Sequence, residues 1–177
     1  VFEAAAEQIV RTTGIKRGYC LVLGCGTGRL AYELAKRTEL HICGVEPDAH
    51  KVQAARRALD AAGLYGTRVL VEQGELTQVP FSDYFANLVV SEAALVSGQM
   101  PGGGEAFRTL KPLGGTICIG QPAAAGGKVK PLQAAALRQW LAEAGVEDGK
   151  VSEENGVWLD FRRGPLPGAG SWTHQYA

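Results

Sequence analysis

Three glycines at alternate positions, Gly24, Gly26 and Gly28, follow directly on an apolar run at 20–23 (CLVL). Such a run reads as a strand buried on both faces, and glycine is the residue that can take φ > 0 and bring bare main chain against a ligand. Residues 29–37 then put Leu30, Ala31, Leu34 and Ala35 on one helical face, so the unit is strand, glycine turn, helix. The spacing narrows the choice of ligand. A phosphate-cradling loop ends in Gly-Lys-Ser/Thr, which is absent, and the dinucleotide fingerprint G-x-G-x-x-G needs its third glycine where Arg29 stands. A second apolar run, 40–45 (LHICGV), ends at Glu46, close to the roughly 20-residue offset at which an acid accepts hydrogen bonds from ribose hydroxyls. Turn and acid together describe a site for an adenosine-bearing ligand without pyrophosphate.

These residues need elements to position them, and the pattern supplies alternating strands and helices. Residues 2–13 form a helix with Phe2, Ala5, Ile9 and Val10 facing broadly one way. After Glu46, Asp48 is placed to cap a helix carrying Val52, Ala55, Leu59 and Ala62, which Gly63 ends. Strands are expected at 68–71, 86–90 and 116–119, the second delivering Ser91 and Glu92 to its carboxyl end, with a short helix from 102–104 bearing Phe107 and Leu110. Pro131 is placed as the first residue of a helix with the stripe Leu137, Trp140, Leu141 and Ala144. Strands near 146–151 and 157–161 close the sheet as a hairpin around Glu154-Asn155-Gly156. Strand–helix alternation demands a mostly parallel sheet, and ligands of such sheets sit at the carboxyl ends of the strands. Gly24, Glu46, Gly74-Glu75 and Ser91-Glu92 all fall at such ends.

Composition bounds the function. A chain of 177 residues that is 46% hydrophobic and 20% charged can bury a core as one domain, and no apolar run reaches the ~20 residues of a spanning helix. Eighteen basic residues balance eighteen acidic ones, and the basic pairs (Lys16-Arg17, Lys36-Arg37, Arg56-Arg57, Arg162-Arg163) are scattered, which favours a small-molecule partner over nucleic acid. Cys20, Cys25, Cys43 and Cys118 show no C-x-x-C pairing and read as core residues, except that Cys25 stands in the turn where it could meet the ligand. His41 and His50 read as structural, and no His/Cys cluster has metal-ligand spacing. Unpaired cysteines and the lack of a visible signal peptide favour a cytoplasmic setting, while a start at Val1 without methionine reads as an excerpt of a longer protein.

In succession, LVLGCGTG, GVEPD and GELTQVPFSDYFANLVVS resemble motifs of the class I S-adenosylmethionine-dependent methyltransferases, over roughly residues 5–163. The resemblance implies an α/β, Rossmann-like, doubly wound fold with a mostly parallel seven-stranded sheet and an antiparallel last strand. It implies S-adenosyl-L-methionine as cofactor, no metal, and a small-molecule methyl acceptor. Gly24, Cys25, Gly26, Thr27 and Gly28 would underlie the methionine and ribose, and Glu46 with Pro47 would take the ribose hydroxyls. Gly74, Glu75 and Leu76 would face the adenine, and Ser91 would border the site. Family members often carry an acid where Val22 stands and Phe-Asp where Phe85-Ala86 stands, which implies reduced cofactor affinity.

A sulfonium methyl is already activated, so alignment of nucleophile and methyl supplies most of the acceleration, and a base is needed only for a hydroxyl or protonated amine. Glu92 is the first candidate for that base and Ser91 the second. No Asn/Asp-Pro-Pro-Tyr motif for planar nitrogens and no Pro-Cys nucleophile for cytosine is present. The segment 121–130 (QPAAAGGKVK), where such enzymes insert a substrate lid, is short and glycine-rich. A second reading keeps the fold as a non-catalytic binding or scaffold module, on the strength of Val22, Ala86 and the small lid. A nicotinamide-dependent oxidoreductase is disfavoured by Arg29 and by the lack of a Tyr-x-x-x-Lys pair. Two units follow: a methyltransferase-like domain over 1–163 and a Gly/Pro-rich tail over 164–177. The tail resembles the lead-in to a quinoprotein-like β-propeller, so a C-terminal propeller domain is a further expectation.

Overall fold

Alternating apolar runs and helical stripes become a three-layer sandwich in the computed structural model, which describes residues 1–123 and 130–169. The elements are α1 (Phe2–Thr13), β1 (Tyr19–Leu23), α2 (Arg29–Arg37), β2 (His41–Glu46), α3 (Ala49–Ala61), β3 (Val69–Gln73) and β4 (Leu88–Ser91). They continue with α4 (Glu92–Ser97), α5 (Gly103–Thr109), β5 (Thr116–Pro122), α6 (Ala134–Glu143), β6 (Lys150–Ser152) and β7 (Gly156–Arg162).

The seven strands lie in the order β3-β2-β1-β4-β5-β7-β6. β1 to β5 run parallel, and β7 is antiparallel to both its neighbours, β5 and β6. Strand order reverses between β1 and β4, which is where an open α/β sheet leaves its ligand crevice. Strand residues alternate between two cores. Cys20 and Val22 of β1 join Ala5, Ile9, Leu34 and Leu59 of α1, α2 and α3 on one face. Leu21 and Leu23 join Ala106, Leu137 and Trp140 of α5 and α6 on the other. Both faces of the central strands are therefore dry, which is why they read as continuous apolar runs rather than alternating ones.

Local chemistry fixes several element ends. Asp48 caps α3 by accepting the amides of His50 (2.8 Å) and Lys51 (3.4 Å). Arg163 reaches back to the last carbonyls of α5, at Phe107 (2.7 Å) and Leu110 (2.6 Å). The β6–β7 hairpin turns through Asn155 at φ 57° and Gly156 at φ 117°.

Three expectations are corrected. The fourth strand begins at Leu88 rather than at residue 86; it delivers Ser91 and Glu92 to its carboxyl end as expected, and runs there straight into the helix α4, with Ser91 as its cap. Pro131 lies outside α6, whose cap is Gln133, because the Lys130 carbonyl and the Leu132 amide on either side of it are bonded to a buried side chain described below. β6, at the edge of the sheet, is only three residues long and begins at Lys150 rather than near 146. Residues 124–129 of the expected lid and 170–177 of the tail lie outside the described residues. Backbone pairing continues two residues past β7, where Arg163 and Gly164 bond to the turn at 113–115.

Leu88 sits in the central strand β4 with no exposed surface. Leu88→Ala should destabilise the fold by about 2–5 kcal/mol, read as a lower urea midpoint at unchanged slope; a loss below 0.5 kcal/mol would show that the β1–β4 core is not the packed centre described.

Candidate active site

Every second residue of the turn after β1 is a glycine with no side chain to hold it in place, so much of its geometry comes from its neighbours. Within the backbone, the Cys25 amide donates to the Val45 carbonyl at 3.0 Å and the Gly28 amide to the Cys25 carbonyl at 2.8 Å. Two carboxylates from flanking strands complete the support. Glu46, the last residue of β2, accepts the Gly26 amide at 2.8 Å, and its other oxygen accepts the Asp48 amide at 3.3 Å. Glu92, the first residue past β4, accepts the Leu30 amide at 2.8 Å. That bond supplies the missing cap of α2, whose N-cap residue is Gly28 and offers no side-chain acceptor.

Glycine is obligatory at two points of this turn. Gly26 has φ 53°, and a Cβ there would stand 2.5 Å from the Glu92 carboxylate. Gly24 has φ 62°, and a Cβ there would stand 2.6 Å from the Cβ of Ala93 on α4. Both conformations are ones L side chains adopt at a cost.

Over the turn lies a cleft of about 400 Å³ between the ends of β1, β2 and β4. Of the residues expected at the site, Gly24, Gly26, Thr27, Glu46, Pro47 and Leu76 line it, as does Glu92. The others are placed differently. Cys25 is fully buried, and its Sγ would meet a Cβ on Gly44 of β2, so it faces down into the sheet instead of the ligand. Burial and the nearby Glu92 and Glu46 carboxylates raise its thiol, which is inert. Gly28 packs against Leu59 and Ala55 of α3, and Gly74 holds the end of β3 by donating to the Glu46 carbonyl at 3.2 Å. Glu75 is exposed outside the cleft lining. Ser91 is 3% exposed, with its Oγ accepting the Ala94 amide at 3.1 Å. Val22 and Ala86 are core residues with no exposed surface.

Several lining residues escaped sequence reasoning. Phe2 of α1 and Arg29 of α2 meet over the mouth, the guanidinium carbon 4.5 Å from the ring centroid. Lys51, one turn into α3, stands 3.7 Å from Glu46. Ala93 and Val96 form the α4 wall. That wall is fixed by Gln121, whose buried amide donates to the carbonyls of Ala94, Leu95 and Lys130 and accepts from the Leu132 amide at 2.7 Å. The one usable signal for Arg29 was its place directly after the turn, and for Phe2 its place on a first helix that the family resemblance puts near the cofactor mouth; Val96 and Gln121 are brought in by the fold alone.

The Glu92 carboxyl is pushed up to about 7, first by burial and then by the Glu46 charge, against the Leu30 and Thr27 amides and Arg29, which pull it down. A larger groove of about 610 Å³ runs outside the same turn between α1, α2 and α3, but neither Glu46 nor Glu92 reaches it. The carboxylates and the bare turn backbone therefore mark the smaller cleft as the site.

The donor set fits an adenosyl group. A carboxylate with lone pairs left after two backbone bonds, bare glycine backbone, and the apolar Leu76 and Phe2 suit a ribose, an amino-acid chain and a base. Among the described residues the two cations of the cleft, Lys51 and Arg29, are engaged by Glu46 and by Phe2, so they form no basic cluster to cradle a pyrophosphate.

A family model described as "Methyltransferase domain" matches residues 20–114. The sterol 24-C-methyltransferase erg-4 of Neurospora crassa is 36% identical over 109 residues, covering 60% of this chain and 28% of the relative. The sterol 24-C-methyltransferase ERG6A of Gibberella zeae is 35% identical over 111 residues, covering 61% and 29%. The chain thus spans under a third of the length of these relatives. Among solved structures, a Methanococcus maripaludis protein assigned as an S-adenosyl-L-methionine-dependent methyltransferase superposes with a TM-score of 0.79 at 21% identity, over 95% of this chain and 87% of that one. The [4+2]-cyclase SpnF superposes with a TM-score of 0.66 at 20% identity, over 87% of this chain and 62% of that one. The fold by itself is therefore no guide to the reaction. The β-propeller expected beyond the tail receives no support from any of these proteins.

Gly26→Ala should keep the far-UV circular dichroism spectrum while lowering the melting temperature by several degrees, since about 1–2 kcal/mol of backbone strain is added to the contact with Glu92. An unchanged melting temperature would mean that the turn does not hold the φ described.

Proposed function

This chain belongs to the methyltransferase-domain family, and we propose that it transfers a methyl group to a small, apolar acceptor bound at the α4 wall of the cleft. S-adenosyl-L-methionine is the cofactor. The observation that carries the reading is the junction of glycine turn and acid: Glu46 accepts the Gly26 amide inside the cleft, so the two halves of an adenosyl site meet at one hydrogen bond.

In this reading the bare backbone of Gly24 and Gly26 lies under the methionine part, Thr27 borders it, and Glu46 with Pro47 receives the ribose hydroxyls. Leu76 packs against the adenine. The bound cofactor supplies an electrophilic methyl on a sulfonium. What the chain contributes is alignment and exclusion of water, because in-line displacement at an activated carbon asks chiefly for a nucleophile held about 3 Å away. Phe2 and Arg29 cover the mouth, while Ala93 and Val96 give the acceptor side an apolar wall, which favours an uncharged carbon skeleton there. The sterol 24-C-methyltransferases among the relatives act on acceptors of that general character. Glu92 and Ser91 are already bonded to backbone amides, so an acceptor that brings its own nucleophile suits this cleft better than one needing a base. Val22 and Ala86, which motivated the scaffold reading, lie in the core and leave the cleft open. We further propose that residues 1–163 are the methyltransferase unit and that 164–177 is a linker.

Glu46→Ala should weaken binding of S-adenosyl-[methyl-³H]methionine by about 10- to 100-fold in equilibrium dialysis, the loss expected for charge-assisted hydrogen bonds worth roughly 1.5–3 kcal/mol. Equal affinity in variant and wild type would refute the assignment of Glu46. With the wild type and a total cell extract, tritium should move into the organic-soluble small molecules; label confined to protein or nucleic acid would refute the acceptor class.

A further inference from the structure

Alignment does not use Glu92, yet the chain places a carboxylate there at the cost of burying it. The residue is 4% exposed. Its Oε2 accepts the Leu30 amide at 2.8 Å. Its Oε1 lies against the backbone of Gly26, where a Cβ would come within 2.5 Å. One side chain thus touches both the middle of the turn and the helix that leaves it.

An ionised carboxylate does this better than a neutral acid. Protonation removes an acceptor, adds a hydroxyl that must find an acceptor of its own, and discards the negative charge that the N-terminus of α2 favours. The charged groups around Glu92 are few. Arg29 on α2 attracts it, Glu46 on β2 repels it, the Cys25 thiol of the turn is neutral, Lys51 on α3 rims the same cleft, and α1 presents the uncharged Phe2. With a carboxyl pushed up to about 7, a substantial fraction of molecules carry neutral Glu92 at neutral pH.

We propose that Glu92 is a positioning residue that sets the glycine turn for cofactor capture, and that capture releases its proton to solvent. The inference rests on the cofactor reading above. The amino-acid chain of the cofactor, over Gly24 and Gly26, brings its ammonium into the cleft that Glu92 lines, and a cation there selects the ionised form; by linkage, cofactor affinity rises with pH through neutrality and levels off once Glu92 is ionised in the free protein. The proton leaves to buffer and no other group changes state.

The test uses S-adenosylhomocysteine as probe. In the wild type, the Leu30 amide resonance should titrate with one inflection near neutrality, and that inflection should fall when the probe is added. Affinity by calorimetry should tighten about three- to tenfold from pH 6 to pH 8, with proton release visible as a difference between phosphate and Tris buffers. Glu92→Gln should bind with no pH dependence and no proton release. If the wild type binds equally at both pH values and Leu30 does not titrate, the inference fails while the cofactor reading stands. If the probe binds at no pH, both fail. Should the variant not fold, the Leu30 titration of the wild type decides alone.

Discussion

The whole structure turns on a stretch of backbone that cannot hold itself. A turn with glycine at every second position, each at positive φ, can lie close to a ligand because those positions lack side chains, and for the same reason they offer no caps. The acceptors have to come from elsewhere, and they come from the two strands beside β1. β2 ends in Glu46, bonded to Gly26, and β4 hands over to Glu92, bonded to Leu30. The strand order that puts β1 between β2 and β4 is therefore what makes the turn usable. The parallel register, with Leu23 opposite both Val45 and Ser91, brings each carboxylate to the level of the turn.

The arrangement is costly in a way typical of functional sites. Glu46 and Glu92 are 5% and 4% exposed, each losing hydration, and they repel one another. What offsets the cost is backbone: amides from the turn and from the start of α2, whose dipole favours negative charge. Because the folded pKa of Glu92 lies above its ordinary carboxyl value, its contribution is greatest at low pH and is lost as pH rises toward about 7. The group thus works against stability in the range where it best shapes the site.

Much of this was legible in the sequence because it is local. Helix bounds at Phe2–Thr13 and Arg29–Arg37, the Asp48 cap and the hairpin at Asn155-Gly156 follow from spacing and turn chemistry that need no knowledge of distant partners. What stayed hidden is relational. Glu92 at the end of an apolar strand looks like a base, and only the juxtaposition of β4 with the start of α2 reveals the bond to Leu30. Cys25 stands between two glycines that line the cleft, but alternation within the turn sends its sulfur down toward Gly44. Pro131 resembles a helix start, yet the Leu132 amide is held by Gln121, eleven residues earlier on the neighbouring strand β5. Long-range hydrogen bonds leave no periodic trace.

The most direct test of the account is a crystal structure of the domain with S-adenosylhomocysteine. The ribose hydroxyls should lie on Glu46 and the amino-acid chain over Gly24 and Gly26, with the Glu92–Leu30 bond retained beneath. A ligand seated instead in the outer groove, against Tyr32 and Ala62 and away from both carboxylates, would contradict it.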